Sequence, residues 1–251
     1  MPLRYAINGL GRVGRALLRI AWDRPELELA AVNDVVPPPV LARLLARDTI
    51  HGVFSREVAA GPGFLTIAGR RIPLWQEPEP PGVKWEHAGV EVVVEATGRF
   101  LRRDLAAAHL GQGVRWVILS ANADPADPAD LTLCFGINEG DFAPRRHAVV
   151  SNASCTTNCL ALLSKVLHEG FGLEWALMST VHSYTESQRL LDLPHPDARR
   201  SRAAALNIIP TPTTAAQAMG LLLPEVAGRI DGFAVRVPTP AVAMLDLVAL
   251  L

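Results

Sequence analysis

Three glycines, Gly9, Gly11 and Gly14, stand between a short apolar run at residues 5–8 and an amphipathic run at residues 12–22. Strand, glycine turn and helix in that order constrain the fold more than any other feature of the chain. Gly9 permits a tight turn, Gly11 lets the backbone approach a pyrophosphate, and Gly14 allows the helix to pack closely on the sheet. A second strand-like run at residues 27–33 ends at Asp34. Near-continuous apolar runs follow at residues 90–96, 116–120 and 131–135, as expected of parallel strands buried on both faces. The alternation predicts an α/β fold, a doubly wound Rossmann-type parallel sheet over residues 1–150. Residues 64–67 and 71–74, joined through Ala68-Gly69, read as a hairpin on one edge. The proline-rich stretches 36–40 and 77–82, and residues 124–130, read as connecting loops.

In that frame a pyrophosphate sits on the free N–H groups of the first helix. Asp34, about 20 residues past Gly14, is placed to bond ribose hydroxyls. A carboxylate there repels a 2′-phosphate, so NAD is expected rather than NADP.

The second informative segment is Ser151-Asn152-Ala153-Ser154-Cys155-Thr156-Thr157-Asn158-Cys159, which runs into an amphipathic stretch. Leu160, Leu162, Leu163, Val166 and Leu167 are expected to share its packed face, with Gly170 as the stop signal. Cys155 then lies in the first turn, where unpaired N–H groups and the helix dipole favour a thiolate, the working nucleophile. Taken alone, such a cysteine is equally a small buried hydrophobe. Residues 151–251 are expected to form a second, α+β domain. It would continue through a strand at residues 175–181, an arginine-rich loop, a helix around residues 214–222, and strand-like runs at 232–237 and 241–250.

Composition excludes several function classes. The 251 residues suffice for two domains and a substantial core. With 49% hydrophobic and 20% charged residues the chain reads as globular, and a net charge of −1 gives no field to gather nucleic acid or an anionic membrane. The start, Met1-Pro2-Leu3-Arg4, has no apolar leader, and no stretch is long enough to span a bilayer. Cys134, Cys155 and Cys159 give no disulfide framework, so a reducing cytoplasm is the expectation. The Cys155/Cys159 spacing resembles a metal pair on a helix. No further Cys or His stands at ligand spacing, so no metal is expected.

The string around Cys155 closely resembles the active-site segment of the glyceraldehyde-3-phosphate dehydrogenase family. Two other segments, Asn8-Gly9-Leu10-Gly11-Arg12-Val13-Gly14-Arg15 and Thr180-Val181-His182-Ser183-Tyr184-Thr185, also resemble that family, and the three fall in its order. The resemblance implies that Cys155 is the nucleophile and His182 the base, in oxidation of an aldehyde phosphate through a thiohemiacetal and a thioester. It implies a cofactor site of Gly9, Gly11, Arg12, Val13, Gly14, Asn33, Asp34, Thr97, Gly98 and Ser120. Leu193-Pro194 matches NAD-specific members. Arg202 and Arg236 fall on the family's anion-binding arginines, and Ser154, Thr156, Thr185 and Thr213 on its phosphate-site hydroxyls. Arg199 and Arg200 are expected to be solvated. Homotetramers, a small phosphorylated aldehyde and inorganic phosphate are the implied partners.

The sequence also departs from the family's pattern. Thr214 stands for a usual glycine, Gln217 for a lysine, Ala241 for an asparagine and Asn122 for a proline. The family's chains also continue by a piece on the order of 80 residues, which supplies an asparagine that orients the nicotinamide. Three activities are therefore open: phosphorylating glyceraldehyde-3-phosphate dehydrogenase, its hydrolytic sister erythrose-4-phosphate dehydrogenase, and an NAD-binding relative with impaired turnover. His195-Pro196-Asp197 and Thr214 lean toward the sister, and Tyr184-Thr185 toward the first.

Overall fold

A computed structural model describes residues 1–251. The chain divides into two compact units, residues 1–133 with 141–152, and residues 134–140 with 153–251. The seven residues from Cys134 to Gly140 thus leave the first unit and pack with the second.

The first unit runs β1 (Leu3–Asn8), α1 (Arg12–Ala21), β2 (Leu27–Asn33), α2 (Pro38–Ala46), β3 (Arg47–Asp48), β4 (Gly52–Val53), β5 (Val58–Gly61), β6 (Phe64–Ile67) and β7 (Arg70–Trp75). It continues with β8 (Val92–Glu95), α3 (Arg103–Ala107), β9 (Trp116–Leu119), β10 (Leu131–Thr132) and β11 (Val149–Ser151). Nine strands make one sheet in the order β10-β11-β9-β8-β1-β2-β7-β6-β5. Strand pairing is parallel from β10 to β7, and the β5-β6-β7 meander is antiparallel. Successive residues of β1 serve opposite faces, as a pleated strand requires. Tyr5 and Ile7 join a core with Leu18, Leu41 and Leu65, whereas Ala6 joins another with Trp85, Val93 and Val117. Burial on both faces explains the unbroken apolar runs.

Two expectations for this unit are corrected. The proline-rich stretch 36–40 is not all loop, because Pro38 opens α2. Proline suits the first helical turn, where its missing N–H would have no partner in any case. The strand expected over residues 131–135 shortens to β10, since from Cys134 the chain leaves the sheet for the second unit.

The second unit holds α4 (Cys155–Phe171), β12 (Trp175–Ser183), β13 (Ile209–Thr211), α5 (Ala215–Leu222), β14 (Ile230–Val237) and β15 (Ala243–Leu250). Its sheet order is β13-β14-β12-β15. Leu160 and Ala161 of α4, with Ala215, Met219 and Leu222 of α5, pack on Ala176, Met178 and Ile230. The stop of α4 is Gly172, in the left-handed conformation at φ 80°, and not Gly170, which lies inside the helix. The packed face is also narrower than the leucines suggest. Thr157, Leu160, Ala161 and Ser164 are buried, while Leu162, Leu163 and Val166 are exposed. The far face of the sheet is apolar and open, with Trp175, Leu177, Phe233 (48% exposed), Met244, Val248 (62%) and Leu250. No helix of the protein is long and apolar enough to cross a membrane.

Candidate active site

The residues singled out in the first unit gather at the carboxyl edge of its parallel strands, where open α/β sheets take their ligands. Gly9 follows β1 at φ +95°, and its N–H donates to the carbonyl of Asn33 at 2.8 Å. A Cβ on Gly14 would lie 2.1 Å from the Gly9 carbonyl oxygen, so only glycine lets α1 start this close to the turn. A Cβ on Gly11, by contrast, would meet nothing within 4 Å. Gly11 caps α1 without a side-chain hydrogen bond, which leaves the first-turn N–H groups around Arg12 and Val13 for an anion.

Asp34 is held rigidly. Its carboxylate accepts from Leu10 N at 2.7 Å and from Val36 N at 2.9 Å. Each oxygen keeps a further lone pair for a hydroxyl. Thr97 and Gly98 follow β8, and Ser120 follows β9 with its N–H on the carbonyl of Glu95 at 3.0 Å. Asn33 is buried, and its amide bonds Asn8 and Glu77. These contacts suit a dinucleotide, with an open glycine approach, unpaired helix N–H groups and an oriented acid.

In the second unit, Ser154 caps α4, its Oγ accepting from Thr157 N at 3.1 Å. Ala153 before it adopts φ 54°, a left-handed conformation that costs a non-glycine residue about 1–2 kcal/mol. Such strain clusters where a neighbouring side chain must be aimed. Cys155 is exposed in the first turn, and its Sγ lies 3.5 Å from His182 Nε2.

The sheet register supplies the third member. His182 of β12 pairs directly with Arg236 of β14, and Arg236 Nη1 touches His182 Nδ1 and donates to the Ser183 carbonyl at 3.0 Å. That carbonyl lies 2.8 Å from Nδ1 and can only accept. It favours a proton on Nδ1, which turns the Nε2 lone pair toward sulfur. The guanidinium contact with Nδ1 pulls the other way, and the carbonyl prevails because it can satisfy both donors at once.

The remaining residues are engaged separately. Arg202 is exposed and pairs with Asp192 at 2.8 Å. Thr185 Oγ1 bonds Ser187 Oγ at 2.9 Å, Thr213 Oγ1 accepts from Ala215 N at 3.2 Å, and Thr156 lies beside Cys155 in the first turn. Arg199 and Arg200 are not merely solvated. Both pair with Asp197, holding its carboxyl below the usual range chiefly through Arg199, and Arg200 also bonds Thr211. Burial pushes the Cys134 thiol up, Glu139 adds to the effect, and Sγ donates to Asn158 Oδ1 at 3.0 Å.

The family model described as the glyceraldehyde 3-phosphate dehydrogenase NAD binding domain matches residues 3–103, and that of the C-terminal domain matches residues 154–251. Glyceraldehyde-3-phosphate dehydrogenase from Geobacillus stearothermophilus is 49% identical over 249 residues, 99% of this chain and 73% of the relative. Glyceraldehyde-3-phosphate dehydrogenase 1 from Streptomyces arenae is 49% identical over 98% of this chain and 74% of its own length. The chain belongs to the glyceraldehyde-3-phosphate dehydrogenase family. Glyceraldehyde-3-phosphate dehydrogenase 1 of Bacillus subtilis is likewise 49% identical over 99% of the chain and 73% of its own length. The fold of the first unit is thus the family's NAD binding domain, and the chain is an NAD-dependent oxidoreductase by membership.

Proposed function

We propose that this protein is a phosphorylating, NAD-dependent glyceraldehyde-3-phosphate dehydrogenase that works through a thioester on Cys155. The observation that carries the reading is the 3.5 Å approach of His182 Nε2 to Cys155 Sγ at the start of α4. The sulfur adds to the aldehyde carbon while the Cys155 thiol proton passes through His182 Nε2 to the carbonyl oxygen, which becomes the hydroxyl of a thiohemiacetal. His182 Nε2 removes that hydroxyl proton as the C–H electron pair departs, leaving a thioester. NAD, when bound, supplies the acceptor for that hydride. A phosphate oxygen then attacks the acyl carbon, the C–S bond breaks, and the sulfur leaves as a thiolate. Aldehyde, NAD⁺ and phosphate thus become acyl phosphate, NADH and a proton.

Cofactor binding falls to Gly9, Gly11, Arg12, Val13 and Gly14 for the pyrophosphate and Asp34 for the ribose, with Asn33, Thr97, Gly98 and Ser120 lining the site. Arg202 and Arg236 neutralise the substrate phosphate and the attacking phosphate, aided by Ser154, Thr156, Thr185 and Thr213. Arg202 must release Asp192, an exposed pair worth no more than about 1 kcal/mol, so the exchange is cheap. Arg236 must give up the Ser183 carbonyl, which frees Nδ1–H of His182 to hold it alone.

The open apolar sheet face of the second unit supports assembly of like copies, a homotetramer by the family resemblance. Three free cysteines, one of them the nucleophile, fit a reducing cytoplasm.

The test is NADH formation from glyceraldehyde 3-phosphate and from erythrose 4-phosphate, with and without phosphate. A strict phosphate requirement with the triose is expected. Phosphate-independent turnover, faster on the tetrose, would replace the reading with the hydrolytic one.

A further inference from the structure

Beneath the glycine turn, three buried side chains that the chemistry above does not use, Trp85, His109 and Glu95, join a chain of polar groups. Trp85 Nε1–H donates to His109 Nδ1 at 3.1 Å. A nitrogen that accepts carries no proton, so the ring proton sits on Nε2. Nε2 lies 3.3 Å from Glu95 Oε2 and from Asn8 Nδ2. It donates to the carboxylate, because Asn8 Nδ2 is itself a donor and gives its hydrogen to the same Oε2 at 2.5 Å. The other oxygen, Glu95 Oε1, accepts from Thr97 N at 2.7 Å and from the Thr97 hydroxyl. Both Glu95 and His109 side chains are fully buried. The chain continues through Asn8 Oδ1, which accepts from Asn33 Nδ2 at 2.7 Å.

An isolated buried carboxylate is costly, and only a full set of donors makes one tolerable. Here Asn8, His109 and Thr97 supply that set, and Thr97 is where its effect reaches the surface. A Cβ on Gly9 would lie 2.8 Å from both Thr97 N and Thr97 Cγ2, so the turn at Thr97 and the first glycine are in direct contact. Whatever fixes Thr97 therefore fixes the floor of the glycine turn.

We propose that Glu95, with His109 held in one tautomer by Trp85, is a positioning group for the dinucleotide. It sets the Thr97–Gly98 turn against Gly9 and so shapes the loop that receives the pyrophosphate. The proposal rests on the NAD reading above. None of the three residues belongs to the unit that carries Cys155 and His182.

The test uses the full chain, with Glu95→Gln and Trp85→Phe beside the wild type. Glutamine turns one carboxylate oxygen into a donor, so at least one of the present donors faces another. Phenylalanine keeps a ring against Trp75 but deletes the N–H that His109 Nδ1 accepts. NAD binding is read by titration calorimetry, the tautomer of His109 by ¹⁵N–¹H spectra, and the catalytic unit by alkylation of Cys155. E95Q is expected to weaken NAD binding about ten-fold, the order of one unsatisfied buried donor. W85F should keep Nε2–H on His109, which Glu95 still accepts, but shift the Nδ1 resonance that loses its donor, and weaken binding about three-fold. Alkylation of Cys155 should stay within about two-fold in both, as for sites in separate units.

Wild-type affinity in E95Q overturns the proposal. If E95Q does not fold, W85F decides, and unchanged affinity despite a shifted Nδ1 resonance overturns it equally. A wild type that binds no NAD removes the functional reading itself, and the proposal with it. That outcome is distinct from a wild type that binds beside indifferent variants.

Discussion

Replacing Gly14 with alanine sets two calculable effects against each other. In a helix, alanine is favoured over glycine by up to about 1 kcal/mol. Gly14 lies in the first turn of α1, so this gain sits at or below that value. Against it stands the new Cβ, 2.1 Å from the Gly9 carbonyl oxygen. Ordinary contact begins near 3.5 Å, so helix and turn must separate by more than about 1 Å. The oxygen belongs to the backbone of a turn pinned by the Asn33 carbonyl and the Asp34 carboxylate, and it has no rotamer by which to escape. Overpacking of this kind costs about 1–3 kcal/mol, and the steric term wins. Gly14→Ala should lower unfolding free energy by about 1–2 kcal/mol in urea titrations. It should also weaken NAD binding more than about ten-fold, because the displaced loop is the one that meets the pyrophosphate. Calorimetric NAD titration beside the urea curves gives both numbers. A variant as stable as wild type, with unchanged affinity, would refute the argument that close helix–turn packing creates the site.

Removing the base by His182→Asn should lower kcat by about 10²–10⁴-fold with a smaller change in KM for the aldehyde. Steady-state NADH formation reads both, and a loss of only a few-fold would take His182 out of the proton transfer. Tyr5 makes a pH prediction: burial raises its phenol from 10.0 to about 12, against a smaller opposing pull from Arg70. The folded state then favours the neutral phenol, so its contribution is intact below pH 10 and is lost as pH rises toward about 12. The span corresponds to about 2.7 kcal/mol. Tyr5→Phe should therefore flatten the alkaline fall in urea-measured stability. Because Tyr5 Oη is buried without a hydrogen-bond partner, the variant should lose little or nothing at pH 7. Equal alkaline loss in the two proteins would contradict this.

Much of the first unit was legible because its signals are local. The limits of β2 and β6 coincide with their apolar runs, and the glycine spacing announces the turn before α1. What escaped depends on contacts distant in sequence. Nothing near Glu95 or His109 in the chain shows that they meet, or that Trp85 fixes the ring between them. The apposition of Arg236 and His182 follows from the parallel register of β12 and β14, which no local pattern reveals. The pairing of Arg200 with Asp197 and Thr211 is likewise a product of the folded loop. Helix α4 shows a subtler failure. Leucine spacing suggests a broad packed face, but of these leucines only Leu160 is fully buried, with Ala161 and Ser164 beside it, while Leu162 and Val166 face outward. Gly170 has the residue type of a stop, whereas the left-handed φ that ends the helix belongs to Gly172.

The central claim is that oxidation proceeds on Cys155. Its most direct test mixes the protein with NAD and glyceraldehyde 3-phosphate without phosphate, quenches within milliseconds, and maps the acylated residue by mass spectrometry. One acyl group per active site on Cys155, formed with a matching burst of NADH and released on adding phosphate, is the predicted result. A burst of NADH with Cys155 unmodified, or acylation at Cys159 instead, would contradict the account.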